Sequence, residues 1–292
     1  DAQESRGLGD VYKRQMQIRE NSQRNSGVSN EKTNKICSVV LICLSLSDND
    51  LVVTKTEINM LIVFANQKGG VGKSTLALLF SDYLGMAGYR CRVLDCDKQQ
   101  SIFEKYLLDL TFEGIHYDTE KIQNDDCPVP VNPNSLFRIE RLPFDVLSGA
   151  IRGWLDNGED SFTDSENDFN IFDMPGQLDI EQMEPIFRLA DAIITPTSFS
   201  DFDNSSTLTF TNALRGMNLR AKRFVVPNAI MTSANYWSRS DIEQQLLGMG
   251  CHITPDVART VNLSRNLSTM FINPYVLAVV ENAFAYIIKK LK

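Results

Sequence analysis

The sequence predicts an α/β protein built on a doubly wound, mostly parallel sheet with helices on both faces. From Met60 onward, short apolar runs rich in β-branched residues alternate with longer helical ones, which is the signature of βαβ units. The short runs are apolar throughout rather than alternating, as strands covered on both faces must be. A glycine-rich turn joins the first such run to the first helix, the place where open sheets of this kind hold anions on a helix N-terminus.

Taken in chain order, the candidate strands are 61–66 (LIVFAN), 91–95 (CRVLD), 169–173 (FNIFD), 192–196 (AIITP), 224–228 (FVVPN) and a short run at 251–254. The first helix is expected over 73–87, with Leu76, Leu79, Phe80, Tyr83 and Leu84 on one face and Gly88 as its stop. Between 99 and 168 the pattern is less regular, with a proline-rich patch at 128–133 and an acidic patch at 156–168. Helices and a surface loop belong there, in an order the sequence leaves open. A single domain is expected over 60–292, starting at Met60. Residues 1–59 read as an extension foreign to it: 1–35 are polar and aperiodic, and thus expected to be disordered. The opening run DAQESRGLGDVYKRQ looks like translated adapter sequence, and the apolar run 36–46 is too short to span a bilayer.

Composition narrows the class. The chain has 292 residues, 43% hydrophobic and 23% charged, which excludes wholesale disorder and a membrane-embedded body and makes the cytoplasm the expected location. With a net charge of -8, any contact with nucleic acid needs a local basic patch. Cys37, Cys43, Cys91, Cys96, Cys127 and Cys251 form no C-x-x-C pair, so neither a zinc site nor a disulfide framework is indicated.

The chemistry starts at Asn66-Gln67-Lys68-Gly69-Gly70-Val71-Gly72-Lys73-Ser74-Thr75. Glycines let backbone N–H groups turn around a β-phosphate, Lys73 neutralises β- and γ-oxygens, and Ser74 offers a hydroxyl to Mg²⁺. A bare tight turn would not place strand, helix and lysine in this register. Two carboxylate segments follow strands: Asp95-Cys96-Asp97-Lys98-Gln99-Gln100 and Asp173-Met174-Pro175-Gly176. One such Asp could be a helix cap. Two at the carboxyl ends of separate strands converge on the crevice where open sheets bind ligands. No N-T-K-D-like guanine-reading segment is present, which favours ATP.

The run K-G-G-x-G-K-S-T resembles the deviant Walker A motif of the ParA/MinD family of P-loop ATPases, in which the extra lysine is the signature residue. The resemblance implies a slow, partner-stimulated ATPase that dimerises with ATP bound. Lys68 would reach the phosphates held by the second copy, while Lys68, Gly69, Gly70, Val71, Gly72, Lys73, Ser74 and Thr75 form the nucleotide loop. Asp97 matches the residue that positions the attacking water, so Lys68, Lys73 and Asp97 are the implied catalytic set. Ser74, Asp97 and Asp173 are the implied Mg²⁺ set, Asp173 acting through water and Asp95 supporting the site from behind. Asn228 matches an asparagine that reads adenine, and 253–257 matches a proline-containing loop beside the base. Lys98 and Gly176 depart from the family, each standing where proline is usual.

Partners follow from the same resemblance. A ParA-like protein would partition DNA with a ParB-like activator, binding DNA nonspecifically through Arg215, Arg220, Lys222 and Arg223. A MinD-like one would dock a C-terminal amphipathic helix on a membrane. Residues 275–292 carry Val276, Val279, Val280, Ala283, Phe284, Ile287 and Ile288 at helical spacing but are basic only in the last turn, so core packing is the expected role. A scaffold with impaired hydrolysis is the third reading, motivated by Lys98 and Gly176. Iron–sulfur relatives need cysteine pairs that this sequence does not place.

Overall fold

In a computed structural model the described residues are 59–123, 129–132, 135–157, 167–176, 179–261, 263, 267–270 and 273–292. The expected extension, apart from Asn59, lies outside them, as do Cys127 and the middle of the acidic patch. The chain order is β1 (Met60–Phe64), α1 (Lys73–Met86), β2 (Cys91–Asp95), α2 (Ser101–Phe112), α3 (Thr119–Gln123), β3 (Arg138–Arg141), α4 (Phe144–Asn157) and β4 (Phe169–Asp173). Then come α5 (Ile180–Leu189), β5 (Ala192–Thr197), α6 (Asp201–Gly216), β6 (Lys222–Pro227), α7 (Arg239–Gly248), β7 (Cys251–Ile253) and α8 (Pro274–Leu291).

The strands form one seven-stranded sheet in the order β3-β2-β4-β1-β5-β6-β7, and every pairing is parallel. Pleating divides each strand between two cores. Ile62 and Phe64 join Val93, Ile171 and Ile194 beneath α1, α2 and α8. Leu61 and Val63 join Leu94, Phe172 and Ile193 beneath α4, α5 and α6. A third cluster, around Val225, Ile242, Leu246 and Cys251, seats α7.

Helix α1 starts where Gly72 takes φ 92° and stops at Ala87, with Gly88 at φ 85°. Leu76, Leu79, Phe80 and Leu84 are buried as the pattern predicts, but so are Ala77 and Leu78, because α1 packs on four strands and also against α8. Phe80 meets Phe64 and Phe284 edge-on, at centroid distances of 5.9 and 5.1 Å. Helix α8 places Val276, Val280, Ala283, Phe284 and Ile287 in that core. Its apolar face is thus occupied inside the protein.

The strands expected from the sequence all form, with ends shifted by a residue or two. The addition is β3, four residues reading RIER at the sheet edge. Its charges suit an edge, where they discourage pairing with another chain, but they hide the strand from a search for apolar runs.

Candidate functional site

The phosphate loop leaves the central strand β1 at the carboxyl end of the sheet. Ala65 N–H donates to Ile194 at 3.0 Å, and the buried Asn66 ties the next turn down. Its Nδ2 donates to the Pro196 carbonyl at 2.8 Å, and its Oδ1 accepts from Lys68 N–H at 3.1 Å. Gly72 is required twice over, by its positive φ and because a β-carbon there would collide with Asn228 Nδ2. Asn228 Nδ2 in turn donates to the Val71 carbonyl at 2.8 Å, so the expected adenine reader sits directly against the phosphate loop.

A cleft of about 620 Å³ opens above this loop. One wall is Gly69, Gly70, Gly72, Lys73, Ser74 and Thr75; the loops after β2 and β4 contribute Asp97, Lys98, Pro175 and Gly176. The register explains the meeting, since β2 and β4 are neighbours and Asp95 lies opposite Asp173. Parallel strands in register deliver their following loops to the same edge.

The carboxylates divide by depth. Asp97 is half-buried at the cleft and accepts from Gln99 N–H at 3.0 Å. Asp95 is buried and braces the loop from behind, its Oδ2 accepting from Ile102 and Phe103 N–H at 3.0 Å. Burial pushes its carboxyl up to about 6 against the pull of these bonds and of the Asp97 N–H. Asp173 is fully buried, and neither of its oxygens has a hydrogen-bond partner. Burial raises it to about 8; the nearby Ser74 hydroxyl, lying outside good bonding geometry, and the Lys73 ammonium pull the other way. Burial likewise lowers Lys73, opposed by Asp173 and Asp97. A buried carboxylate with empty lone pairs beside a serine hydroxyl is a donor set that fits a hard divalent cation, and Ser74, Asp97 and Asp173 would hold it.

Lys68 is engaged elsewhere. Its ammonium forms an ion pair with Asp203 in the first turn of α6 and lies 5.8 Å from the centroid of the Phe202 ring. Burial would raise the Asp203 carboxyl, but Lys68, Ser198 and Ser200 together hold it below its usual range. The 253–257 loop runs beside Asn228: Val257 N–H donates to Pro227 at 2.8 Å, and Asp256 pairs twice with Arg239 at 2.8 and 2.6 Å.

The structure therefore gathers the loop glycines, Lys73, Ser74, Thr75 and Asp97 at one cleft, sets Asp95 and Asp173 behind it and Asn228 beside it. Sequence reasoning missed Asp203, and also Ser101 and Asp145, which line the cleft from the starts of α2 and α4. A signal for Asp203 existed, because Ser200 and Asp203 form the [ST]-x-x-[DE] pattern of a helix start, and Ser200 Oγ accepts from Asp203 N–H at 3.3 Å. The pattern marks the helix but not the ion pair.

Fold and site together define a nucleotide-binding protein of the phosphate-loop class. The family model described as the CobQ/CobB/MinD/ParA nucleotide binding domain matches residues 62–275, and the chain belongs to that family. No curated protein sequence matches it. Among solved structures, a plasmid partition protein of Borrelia burgdorferi B31 bound to AMPPNP is similar, with a TM-score of 0.57 at 18% identity over 80% of this chain and 99% of that one. The pNOB8 ParA bound to nonspecific DNA gives a TM-score of 0.50 at 16% identity, covering 80% and 97%. MinD of Aquifex aeolicus gives 0.51 at 16% identity, covering 79% and 97%.

Proposed function

We propose that residues 60–292 work as one domain, a Mg²⁺-dependent ATPase of the ParA-like kind, whose ATP-bound form dimerises and whose hydrolysis dissolves the dimer in the service of DNA partitioning. The observation that supports it most is the single cleft shared by the phosphate loop, Lys73, Ser74 and Asp97, with the orphaned Asp173 carboxylate behind. In this reading the loop N–H groups and the α1 N-terminus hold the β-phosphate, and Lys73 neutralises the β- and γ-oxygens. Asp97 orients the attacking water, and Asn228 faces the base. Bound Mg²⁺ would neutralise charge on the phosphates. Lys68 of each copy, released from Asp203, would stabilise phosphoryl charge in the other. One turnover per minute would correspond to a barrier of roughly 20 kcal/mol.

Nonspecific DNA is the surface we favour, for two reasons. The apolar face of α8 is packed on α1 and β6, which leaves little for a membrane. Basic residues are also available: Lys222 Nζ donates to the Lys290 carbonyl, and Arg215, Arg220 and Lys222 are exposed. His252 lies in the same field, lowered by burial and then by Lys290 and Lys222. A ParB-like activating partner fits a slow switch.

Size-exclusion chromatography with light scattering on 60–292 tests the switch. A monomer with ADP should become a dimer with ATP, persist in Asp97→Ala and fail to form in Lys68→Ala. If ATP changes nothing in any variant, a nucleotide-binding scaffold replaces the switch. Retention on mixed-sequence DNA only with ATP is the expected second result, whereas flotation with anionic liposomes would favour a MinD-like role.

A further inference from the structure

The two residues that depart from the family's motifs meet in one place. Lys98 and Gly176 both line the phosphate cleft, each three positions beyond the registered pair Asp95 and Asp173. Gly176 packs so closely that a β-carbon on it would lie 2.9 Å from Lys73 Nζ and 3.3 Å from Gly69 Cα. Its backbone therefore passes beside the ammonium that meets the β- and γ-oxygens. Proline at this position would bring no N–H; glycine brings one, and among the described residues nothing accepts it. Lys98 is exposed on the same cleft and has no ion pair among the described residues, whereas Lys68 is held by Asp203.

We propose that the Lys98 ammonium and the Gly176 N–H form a second grip on the terminal phosphate of ATP, supplied by the same chain that binds the nucleotide. This rests on the ATP-binding reading above and deepens it. The chain would then tell a triphosphate from a diphosphate before any partner's Lys68 arrives. A charge-assisted contact to a phosphate oxygen is stronger than a neutral one, and a proline in either place would remove its half of the grip.

The test compares AMPPNP with ADP, both with Mg²⁺, by calorimetry on the full chain carrying Lys68→Ala, so that partner contacts do not contribute. Adding Lys98→Ala should weaken AMPPNP about tenfold and leave ADP within about twofold, while Lys98→Arg keeps most of the preference. Gly176→Pro should cut the preference for AMPPNP further than Gly176→Ala does, because both bring the β-carbon that crowds Lys73 but only proline removes the N–H, once circular dichroism shows each variant folded. If Lys98→Ala lowers both affinities equally or leaves their ratio unchanged, Lys98 is a solvated rim charge and the grip is wrong. If the unsubstituted chain binds neither nucleotide, the ATP-binding reading falls and the grip with it, an outcome distinct from an unchanged ratio.

Discussion

Asp173 shows how burying a single carboxyl makes stability depend on pH. Its carboxyl is raised by burial to about 8, whereas an unfolded Asp titrates near 4. Between those values the folded state keeps a proton that the unfolded state has released, so stability falls as pH rises through this window, by up to about 1.4 kcal/mol per pH unit. Asp173→Asn should therefore raise the melting temperature of the nucleotide-free protein at pH 8, with the gain shrinking towards pH 5. The same change should abolish the Mg²⁺-dependent part of nucleotide binding. Thermal melts at both pH values check the first expectation, and titration with and without Mg²⁺ checks the second.

Lys68 offers the complementary case. Its ion pair with Asp203, part of which reaches solvent, competes with any phosphate the lysine is to meet. Such partly exposed pairs are worth at most about 1 kcal/mol each, and two would open per dimer, so Asp203→Asn should tighten ATP-dependent self-association by no more than about thirtyfold. Sedimentation at several protein concentrations reads this directly; weaker association would mean that Asp203 serves the dimer rather than restraining it.

At the scale of elements, α8 is anchored by one ring. Phe284 is fully buried between α1 and the sheet, edge-on to Phe80. Phe284→Ala should cost about 3–5 kcal/mol in urea unfolding, a loss that a helix resting on a membrane would not show. This helix, α1 and most strands were legible because their apolar spacing matches their period. The edge strand β3 was not, since RIER carries only Ile139 into the core, and its place depends on pairing with β2, which no local pattern encodes. The site divides the same way. The phosphate loop is contiguous and therefore readable, whereas the meeting of Lys68 with Asp203 joins positions far apart in the chain. Asp95 was legible as a support, but its role as an acceptor for the start of α2 became visible only when both N–H groups were placed.

For the whole molecule, the net charge of -8 repels nucleic acid at long range, so the DNA binding we propose would have to come from a local patch such as that around Lys222 and Lys290 and would depend steeply on salt. Each phosphate contact removed should lower the slope of log K against log salt by about 1. Arg220→Ala with Lys222→Ala should therefore weaken binding to all sequences alike and flatten that slope by up to about 2. An unchanged slope would place the DNA contact elsewhere.

The strand order also sets a schedule for synthesis. Among the described residues β1 is the first strand made, yet it pairs only with β4 and β5, while β2 reaches it only through β4. On the ribosome the phosphate loop is thus translated early and lacks at least one of its two flanking strands until residues near Thr197 have emerged, a delay of about ten seconds at ordinary elongation rates. A nascent chain stalled before β5 would carry the whole phosphate-loop motif and still lack the Pro196 carbonyl that fastens Asn66. The ability to take up nucleotide should then appear abruptly, as a marker that the centre of the sheet has closed.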